Sequence, residues 1–528
     1  MQKDKSDFRI AFVNLKAQIP CYFAGSSFTL EHIGLGYLSS FLQENGYKTV
    51  IIDAATRDLS DRIVVQEILD FSPSIVGFSP TVATMESVIK ISTLLKDANK
   101  DIHVCLGGQH ATFLAEEILI NEPYIDSVIR GEGEWSILEL SDRLRLKSPL
   151  RYTFGLYFRE RDGRISKGPN RSKIEDLDSI PFPSRDSLRW QVENGKSPTA
   201  RFISSRGCIA DCSFCSIPPF ERLQKGKLWR SRSPKDVLDE LTYLKEEFGI
   251  KTVLFAEDNF IGPGEAGRER VRQIAQGMIT RGLDMKFRIL CMAESLINCE
   301  SILPLMKKAG LDRVIVGIES ASQSALNVLN KKTTLNDYYH VIRILEKNNI
   351  VLHMGFMMFQ PYSCFKGLRL NAEFLKRSNH ACFFQHFSNR MELYPGVAIF
   401  KRLAKDEMII SKEEYKRGYL YRFVEQNVGK LARNLSPIRR NMLDLDRLLL
   451  DTDIRINNED DELLKKNLVD QYRELRNQIS TKNMDFFLRS VEVAESGWKQ
   501  NVFDELKYEY LEEIEKTGNV LISLVESA

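Results

Sequence analysis

Through the first 150 residues, short apolar runs alternate with longer stretches whose apolar positions recur every three or four residues. Ile10-Ala-Phe-Val13, Val50-Ile-Ile52, Ile75-Val-Gly-Phe78, His103-Val-Cys-Leu106 and Ser127-Val-Ile129 have the length and character of buried strands. Between them, Ile33 to Leu42, Asp61 to Phe71 and Met85 to Leu95 have helical spacing, and Gly46 is a stop signal. Strands of this kind separated by amphipathic helices predict a parallel, doubly wound sheet. Ligands of such sheets sit beyond the carboxyl ends of the strands.

A similar alternation resumes after residue 195. Arg201-Phe-Ile-Ser-Ser205, Thr252-Val-Leu-Phe255, Phe287-Arg-Ile-Leu290, Val314-Ile-Val316, Val351-Leu-His-Met-Gly-Phe356 and the run 381–388 read as six strands. After the first of them, Ser233 is an N-cap, Pro234 suits the first helical position, and Val237, Leu238, Leu241 and Leu244 form one stripe ended by Gly249. Repeated strand–helix units predict a parallel barrel or part of one. Between the two halves, Leu156-Tyr-Phe158 and Gly163-Arg-Ile165 flank the hairpin signal Asp162-Gly163. Leu177-Asp-Ser-Ile-Pro-Phe-Pro183 reads as an extended linker. Beyond residue 400 the chain is charged and sparse in glycine, with helical stretches at Leu443 to Leu450 and Phe503 to Ile514. The expected division is 1–150, 151–195, 196–400 and 401–528.

Composition narrows the classes. The chain has 528 residues, 43% hydrophobic and 28% charged, which fits several globular domains. A net charge of +2 gives no electrostatic case for a nucleic-acid partner. No apolar run reaches the roughly 18 residues of a membrane span. Met1-Gln-Lys-Asp-Lys-Ser-Asp7 has no apolar core for a signal peptide, and nine cysteines, three of them clustered, suit a reducing cytoplasm.

Those three cysteines carry the sharpest chemical signal. Cys208, Cys212 and Cys215 lie in Arg206-Gly-Cys-Ile-Ala-Asp-Cys-Ser-Phe-Cys215. Three thiolates from one loop can hold three irons of a 4Fe–4S cluster and leave the fourth open. A closed zinc site wants a fourth ligand nearby, but Cys291, His110 and His340 are all remote in sequence. The strand before the loop puts the cysteines at a strand's carboxyl end, where barrel enzymes keep their chemistry. Other polar groups also follow strands. Ser79, Pro80 and Thr81 follow the third, and Gly107, Gly108, Gln109 and His110 follow the fourth. Glycines there let backbone approach a bulky ligand; His110 is either a cofactor contact or a helix start. Glu257-Asp-Asn-Phe260 and Gly317-Ile-Glu-Ser320 end barrel strands. They are either exposed loop charges or acceptors for a cationic ligand.

The cysteine run resembles the cluster motif of the radical S-adenosylmethionine (SAM) enzymes. Gly34-Leu-Gly-Tyr37, Gly107-Gly-Gln-His-Ala-Thr112 and Gly131-Glu-Gly-Glu134 fall where the cobalamin-binding domain fused to many of those enzymes has similar runs. The resemblance covers roughly residues 8–400. It implies an N-terminal doubly wound, flavodoxin-like cobalamin-binding sheet, a partial (β/α)6 radical SAM barrel and a mainly helical C-terminal region. The implied cofactors are a 4Fe–4S cluster on Cys208, Cys212 and Cys215, SAM, and cobalamin. Carried over residue by residue, Phe214 would present backbone groups to the adenine of SAM, Glu257 or Asp258 would take its amino group, and Glu319 and Ser320 would lie beside it. Cobalamin would meet Ser79, Thr81, Gly107, Gly108, His110, Thr112, Gly131 and Glu132.

Three departures matter. Asp101-Ile-His-Val-Cys-Leu-Gly107 has one residue more than the Asp-x-His-x-x-Gly motif whose histidine binds cobalt, and it precedes strand four instead of following strand one. His103 is therefore read as a strand residue, and the cobalt as lacking a histidine lower ligand. Met357-Met-Phe-Gln-Pro-Tyr362 stands where the family often has Gly-x-Pro, and Val397 where a threonine is usual. The implied activity is reductive cleavage of SAM to a 5′-deoxyadenosyl radical, with methyl transfer from methylcobalamin to an unactivated carbon of a natural product, peptide or lipid. The alternative is a cyclase, ring contraction or rearrangement without methyl transfer. Either needs an external one-electron donor such as flavodoxin or ferredoxin. Residues 401–528 are expected to cap the barrel mouth or recognise the substrate.

Overall fold

The computed structural model describes residues 4–17, 31–410, 418–458 and 462–527. The first sheet contains β1 (Arg9–Asn14), β2 (Lys48–Asp53), β3 (Ile75–Phe78), β4 (His103–Leu106), β5 (Ser127–Ile129), β6 (Leu156–Arg159) and β7 (Ile165–Lys167) in the order β2-β1-β3-β4-β5-β6-β7. The first five strands are parallel, and β6 and β7 are antiparallel additions.

Alternate residues of one strand feed two different cores. Ala11 and Val13 pack on one face with Val64, Ile68, Val88 and Ile91, from helices α2 (Asp61–Phe71) and α3 (Met85–Ala98). Ile10 and Phe12 pack on the other, with Leu35 and Leu42 of α1 (Ile33–Glu44). A strand buried on both faces must be apolar at every position, which is why continuous apolar runs marked these strands. The hairpin forms at Asp162-Gly163 and pairs onto β5, so this sheet continues through Lys167. His103 is a strand residue: its Nε2 shares a 2.8 Å hydrogen bond with Ser127 Oγ, and burial lowers its pKa to about 4.

The second sheet holds β8 (Thr199–Phe202), β11 (Thr252–Phe255), β12 (Lys286–Cys291), β13 (Leu311–Glu319) and β14 (Val351–Phe356), all parallel, in that spatial order. A two-stranded ribbon, β9 (Ser205–Gly207) and β10 (Trp229–Ser231), flanks the cysteine loop. The first barrel helix has the expected ends. Ser233 Oγ accepts from Asp236 N at 3.2 Å, and Gly249 closes the helix in the left-handed region at φ 62°.

The expected sixth strand at 381–388 is a correction. Residues Gln385–Ser388 form a short helix, and the sixth station of the barrel is a single parallel bridge between Phe359 and Arg390. The reason lies in the C-terminal region, where Gln426–Asn458, Glu462–Glu495 and Gln500–Ser527 are three long helices. Asp446 of the first accepts from Phe384 N and Gln385 N, both at 2.8 Å. Asn483 of the second donates to Ala381 O and Cys382 O at 3.0 and 2.8 Å, and Tyr510 of the third donates to Asn483 at 2.7 Å. Helix side chains thus satisfy backbone groups that a sheet ladder would otherwise need.

Buried ion pairs tie the two sheets together. Arg185 joins Glu31 and Glu240, and Arg232 shares Glu240. Arg206 meets Glu134 at 2.6 Å, and Arg230 meets Glu132 at 2.7 Å. Removing one partner from such a group would leave a buried charge uncompensated.

Candidate active site

Gly207 sets the entry to the cysteine loop. Its φ is 87°, and a Cβ there would lie 2.1 Å from the carbonyl oxygen of Leu228, so only glycine fits before Cys208. The far side is pinned at Ser213, whose N donates to Leu329 O at 2.9 Å and whose Oγ donates to Val328 O at 2.8 Å. Phe214 is half-buried against the barrel core. Cys208 Sγ accepts from Ala210 N and lies 3.8 Å from Met292 Sδ.

Burial pushes all three thiols up, Cys215 to about 12. The thiols act on one another's charge. Yet among the described residues no three His, Cys, Asp or Glu side chains are gathered as a single metal ion would require. Three thiols from one loop are the donor set of a polynuclear iron–sulfur cluster with one open iron.

The strand-end carboxylates divide into two kinds. Glu257 is withdrawn: Ser204 N and Ser205 Oγ donate to it, Arg270 faces it, and burial raises its pKa. Asp258, one position on, faces Cys208 and Cys215 and accepts from Gly207 N. Desolvation, then the charges of Glu221 and Glu257, raise its carboxyl, and the hydrogen bond from Gly207 N opposes them. The sequence left the choice between these two open, and the geometry favours Asp258 for a ligand at the cysteine loop. Glu319 also faces the cysteines. It adopts φ 67°, and its Oε1 lies 3.6 Å from Lys331 Nζ. Lys331 in turn donates to Gly317 O at 2.9 Å and acts on Cys208 and Cys212. Ser320 is committed elsewhere: its hydroxyl donates to Asn371 Oδ1 at 2.9 Å and accepts from Ser322 N.

A cavity of about 840 Å³ opens beside this mouth. Ser79, Thr81 and His110 line it from the first sheet, and Ser216, next to Cys215, lines it from the cluster loop. Ser216 Oγ donates to Gln109 Oε1 at 2.9 Å, joining the cysteine loop to the turn after β4. Gly108 does not line the cavity. At φ 80° it allows that turn to close on Ser79, whose Oγ lies 2.5 Å from where a Cβ would stand.

Gly107 also lies outside the cavity wall, as do Thr112, Gly131 and Glu132. Thr112 Oγ1 accepts from Gly131 N at 3.2 Å, and Glu132 is held by Arg206, Arg230 and Ile174 N. The Thr112 hydroxyl braces the turn after β5 within the first sheet, and Glu132 ties that sheet to the ribbon beside the cysteine loop. Several lining residues escaped sequence reasoning, namely His32, Arg439 and Arg440, and Arg390 was given no role by it; Gln109, noted only as a strand-end residue, also lines the cavity. Lys331 escaped too, since nothing in Asn330-Lys-Lys332 sets it apart from its neighbour. His32 Nδ1 accepts from Leu35 N at 3.3 Å, which leaves the ring proton on Nε2.

The B12 binding domain model matches residues 21–141, and the radical SAM superfamily model matches residues 202–363. An uncharacterized methyltransferase of Pyrococcus horikoshii is 32% identical over 348 residues, which are 65% of this chain and 73% of that protein. The chain belongs to the cobalamin-binding radical SAM family. The anaerobic magnesium-protoporphyrin IX monomethyl ester cyclase of Rubrivivax gelatinosus is also 32% identical, over 339 residues, 61% of this chain and 58% of that one. This chain therefore spans little more than half of the cyclase. The cobalamin-dependent SAM radical enzyme OxsB, solved with aqua-cobalamin and SAM, shares the fold, with a TM-score of 0.70, 19% identity, and coverage of 97% of this chain and 84% of that one. A radical SAM enzyme of this family uses a 4Fe–4S cluster, SAM and cobalamin. No described helix is long and apolar enough to cross a membrane.

Proposed function

We propose that this enzyme transfers a methyl group to an unactivated carbon of a natural-product, peptide or lipid substrate. The observation that carries the reading is the shared cavity, whose wall runs from the strand ends of the first sheet to the cysteine loop and the end of the barrel. Two cofactors acting in turn on one carbon need one chamber that holds the substrate within reach of both. In this reading residues 1–150 bind cobalamin, 151–195 form hairpin and linker, 196–400 form the radical domain, and 401–528 cap it.

Cys208, Cys212 and Cys215 would hold the cluster. Asp258 and Glu319 would offer acceptors to the ammonium and ribose of SAM, and backbone near Phe214 would meet its adenine. Glu257 and Ser320 would brace these positions from behind. Ser79, Thr81 and His110 would contact the corrin side of cobalamin, with Gly107 and Gly108 shaping the turn beneath. When bound there, the cluster and SAM supply a 5′-deoxyadenosyl radical and cobalamin supplies the methyl group. The chain's own work is to orient the substrate and hold Asp258 and Glu319 in place. Electrons would come from an external donor such as flavodoxin or ferredoxin, in a reducing cytoplasm.

The test is anaerobic reconstitution with iron, sulfide and hydroxocobalamin, followed by dithionite and SAM. Wild type should retain cobalamin on gel filtration and form 5′-deoxyadenosine. Absence of both would overturn the reading. A second reading is cyclisation without methyl transfer, favoured by the match to the Rubrivivax cyclase over the same region. Product mass decides between them, because methylation adds one methylene equivalent and cyclisation does not.

A further inference from the structure

The two walls of the cavity differ in chemistry. Among the described residues, the wall from the first sheet has no carboxylate, lysine or arginine; its polar groups are amides, hydroxyls and two histidines. His32 is kept neutral there, its pKa lowered to about 4 by burial and then by the charge of Arg201. The facing wall brings Arg390 from the sixth barrel station, and Arg439 and Arg440 from the helix Gln426–Asn458. Among the described residues its one carboxylate is Glu392, which already accepts from the Tyr394 hydroxyl. Among the described residues no hydrogen bond or ion pair engages the side chains of Arg390 or Arg440. Arg439 has a partner of its own and acts on the Asp446 carboxyl, so among the described residues it is Arg390 and Arg440, against one engaged carboxylate, that make this wall cationic. The neutral wall suits the amide-rich rim of a corrin, so the cationic wall serves a different ligand.

We infer that the wall formed by Arg390, Arg439 and Arg440 binds an anionic group of the substrate, a phosphate, phosphonate or carboxylate, and so fixes which carbon faces the radical. The guanidinium fork matches the oxygens of such groups two at a time, which gives orientation as well as attraction. The inference rests on the cavity being the reaction chamber, and it gives the helical region a recognition role beyond capping. The same anion chemistry could come from the phosphodiester of cobalamin, so the test separates the two sources.

The probe is inorganic pyrophosphate, titrated calorimetrically into the cobalamin- and cluster-loaded holoenzyme at low and at moderate salt. Wild type should bind it, more weakly as salt rises. Arg390→Gln with Arg440→Gln should weaken binding roughly tenfold or more, the effect of losing a charge-assisted hydrogen bond, while cobalamin stays at wild-type stoichiometry. No binding by wild type, or equal binding by the variant, overturns the inference. Loss of cobalamin from the variant also overturns it, since the arginines would then belong to the cofactor's phosphate. Arg440 is exposed on its helix, so Arg440→Gln alone carries the test if the double variant fails to fold. Deoxyadenosine formation by wild type is measured separately. Its absence would sink the reading of the chamber, whereas its presence without pyrophosphate binding would sink the anion site alone.

Discussion

At the carboxyl ends of the first sheet the groups on offer are neutral and small: Ser79, Thr81 and a turn closed by Gly108. At the carboxyl ends of the barrel they are ionisable: three thiols, Asp258, and Glu319 paired with Lys331. The neutral mouth works through volume and backbone approach, which suits a large ligand held over much of its surface. The charged mouth works through compensated charge, which suits a small zwitterion and a cluster of thiolate-bound iron. Damage should differ accordingly. A change at the first mouth costs space, and one at the second strands a buried charge.

The largest expected effect is at the barrel. Cys212→Ala should reduce deoxyadenosine formation to background, with iron content falling in the reconstituted protein. Lys331→Met should come next, because it leaves the Glu319 carboxylate buried beside the thiols without its ammonium. We expect a loss of about 3–5 kcal/mol in thermal or denaturant unfolding. Most of that should return when Glu319→Gln is added, and a double variant no more stable than the single would show that the two groups are not coupled. Asp446→Ala should cost about 2–3 kcal/mol, since the N–H groups of Phe384 and Gln385 lose their acceptor in a buried site.

Asp446 also predicts a pH dependence. Burial raises its carboxyl to about 7, above the ordinary value near 4. The folded chain keeps this proton where the unfolded chain releases it. Its contribution to stability is therefore full below about pH 4 and is lost as pH climbs toward 7. Asp446→Asn should flatten melting temperature across that window, and an unchanged slope would count against the raised carboxyl. The smallest effect belongs to the neutral mouth. Gly108→Ala places a side chain at φ 80° against Ser79, a strain of about 1–2 kcal/mol, and should weaken cobalamin retention by roughly tenfold. A Gly108 variant as damaging as Lys331→Met would break the contrast between the mouths.

The parallel strands of the first sheet were legible because β1, β3, β4 and β5 are buried on both faces, so their apolar runs are continuous; β2, at the sheet edge, is only half-buried and showed as the short run Val50-Ile-Ile52. The barrel helix after the cysteine loop was legible from Ser233, Pro234 and Gly249, whose signals are local. The run Ala381-Cys-Phe-Phe was not, because an apolar stretch of that length fits a strand or a buried turn equally well. What decides is whether its backbone groups find a ladder or, as here, Asp446 and Asn483 from helices far along the chain. The same holds at the site. Glu257 and Asp258 are adjacent carboxylates in sequence, and only the packing of Ser204, Ser205 and Arg270 turns one inward.

By itself the sequence determined the strand–helix order, the glycine-dependent turns and a three-cysteine loop at a strand end, since each depends on residues close together in the chain. Only the tertiary structure decided which charges are paired, that Lys331 stands over the thiols, and that Arg390 and Arg440 face one cavity from two different regions. Those relations join residues tens to hundreds of positions apart, and no local propensity carries information about them. They arise when two sheets and three long helices close around the same space and each buried charge must find its partner there.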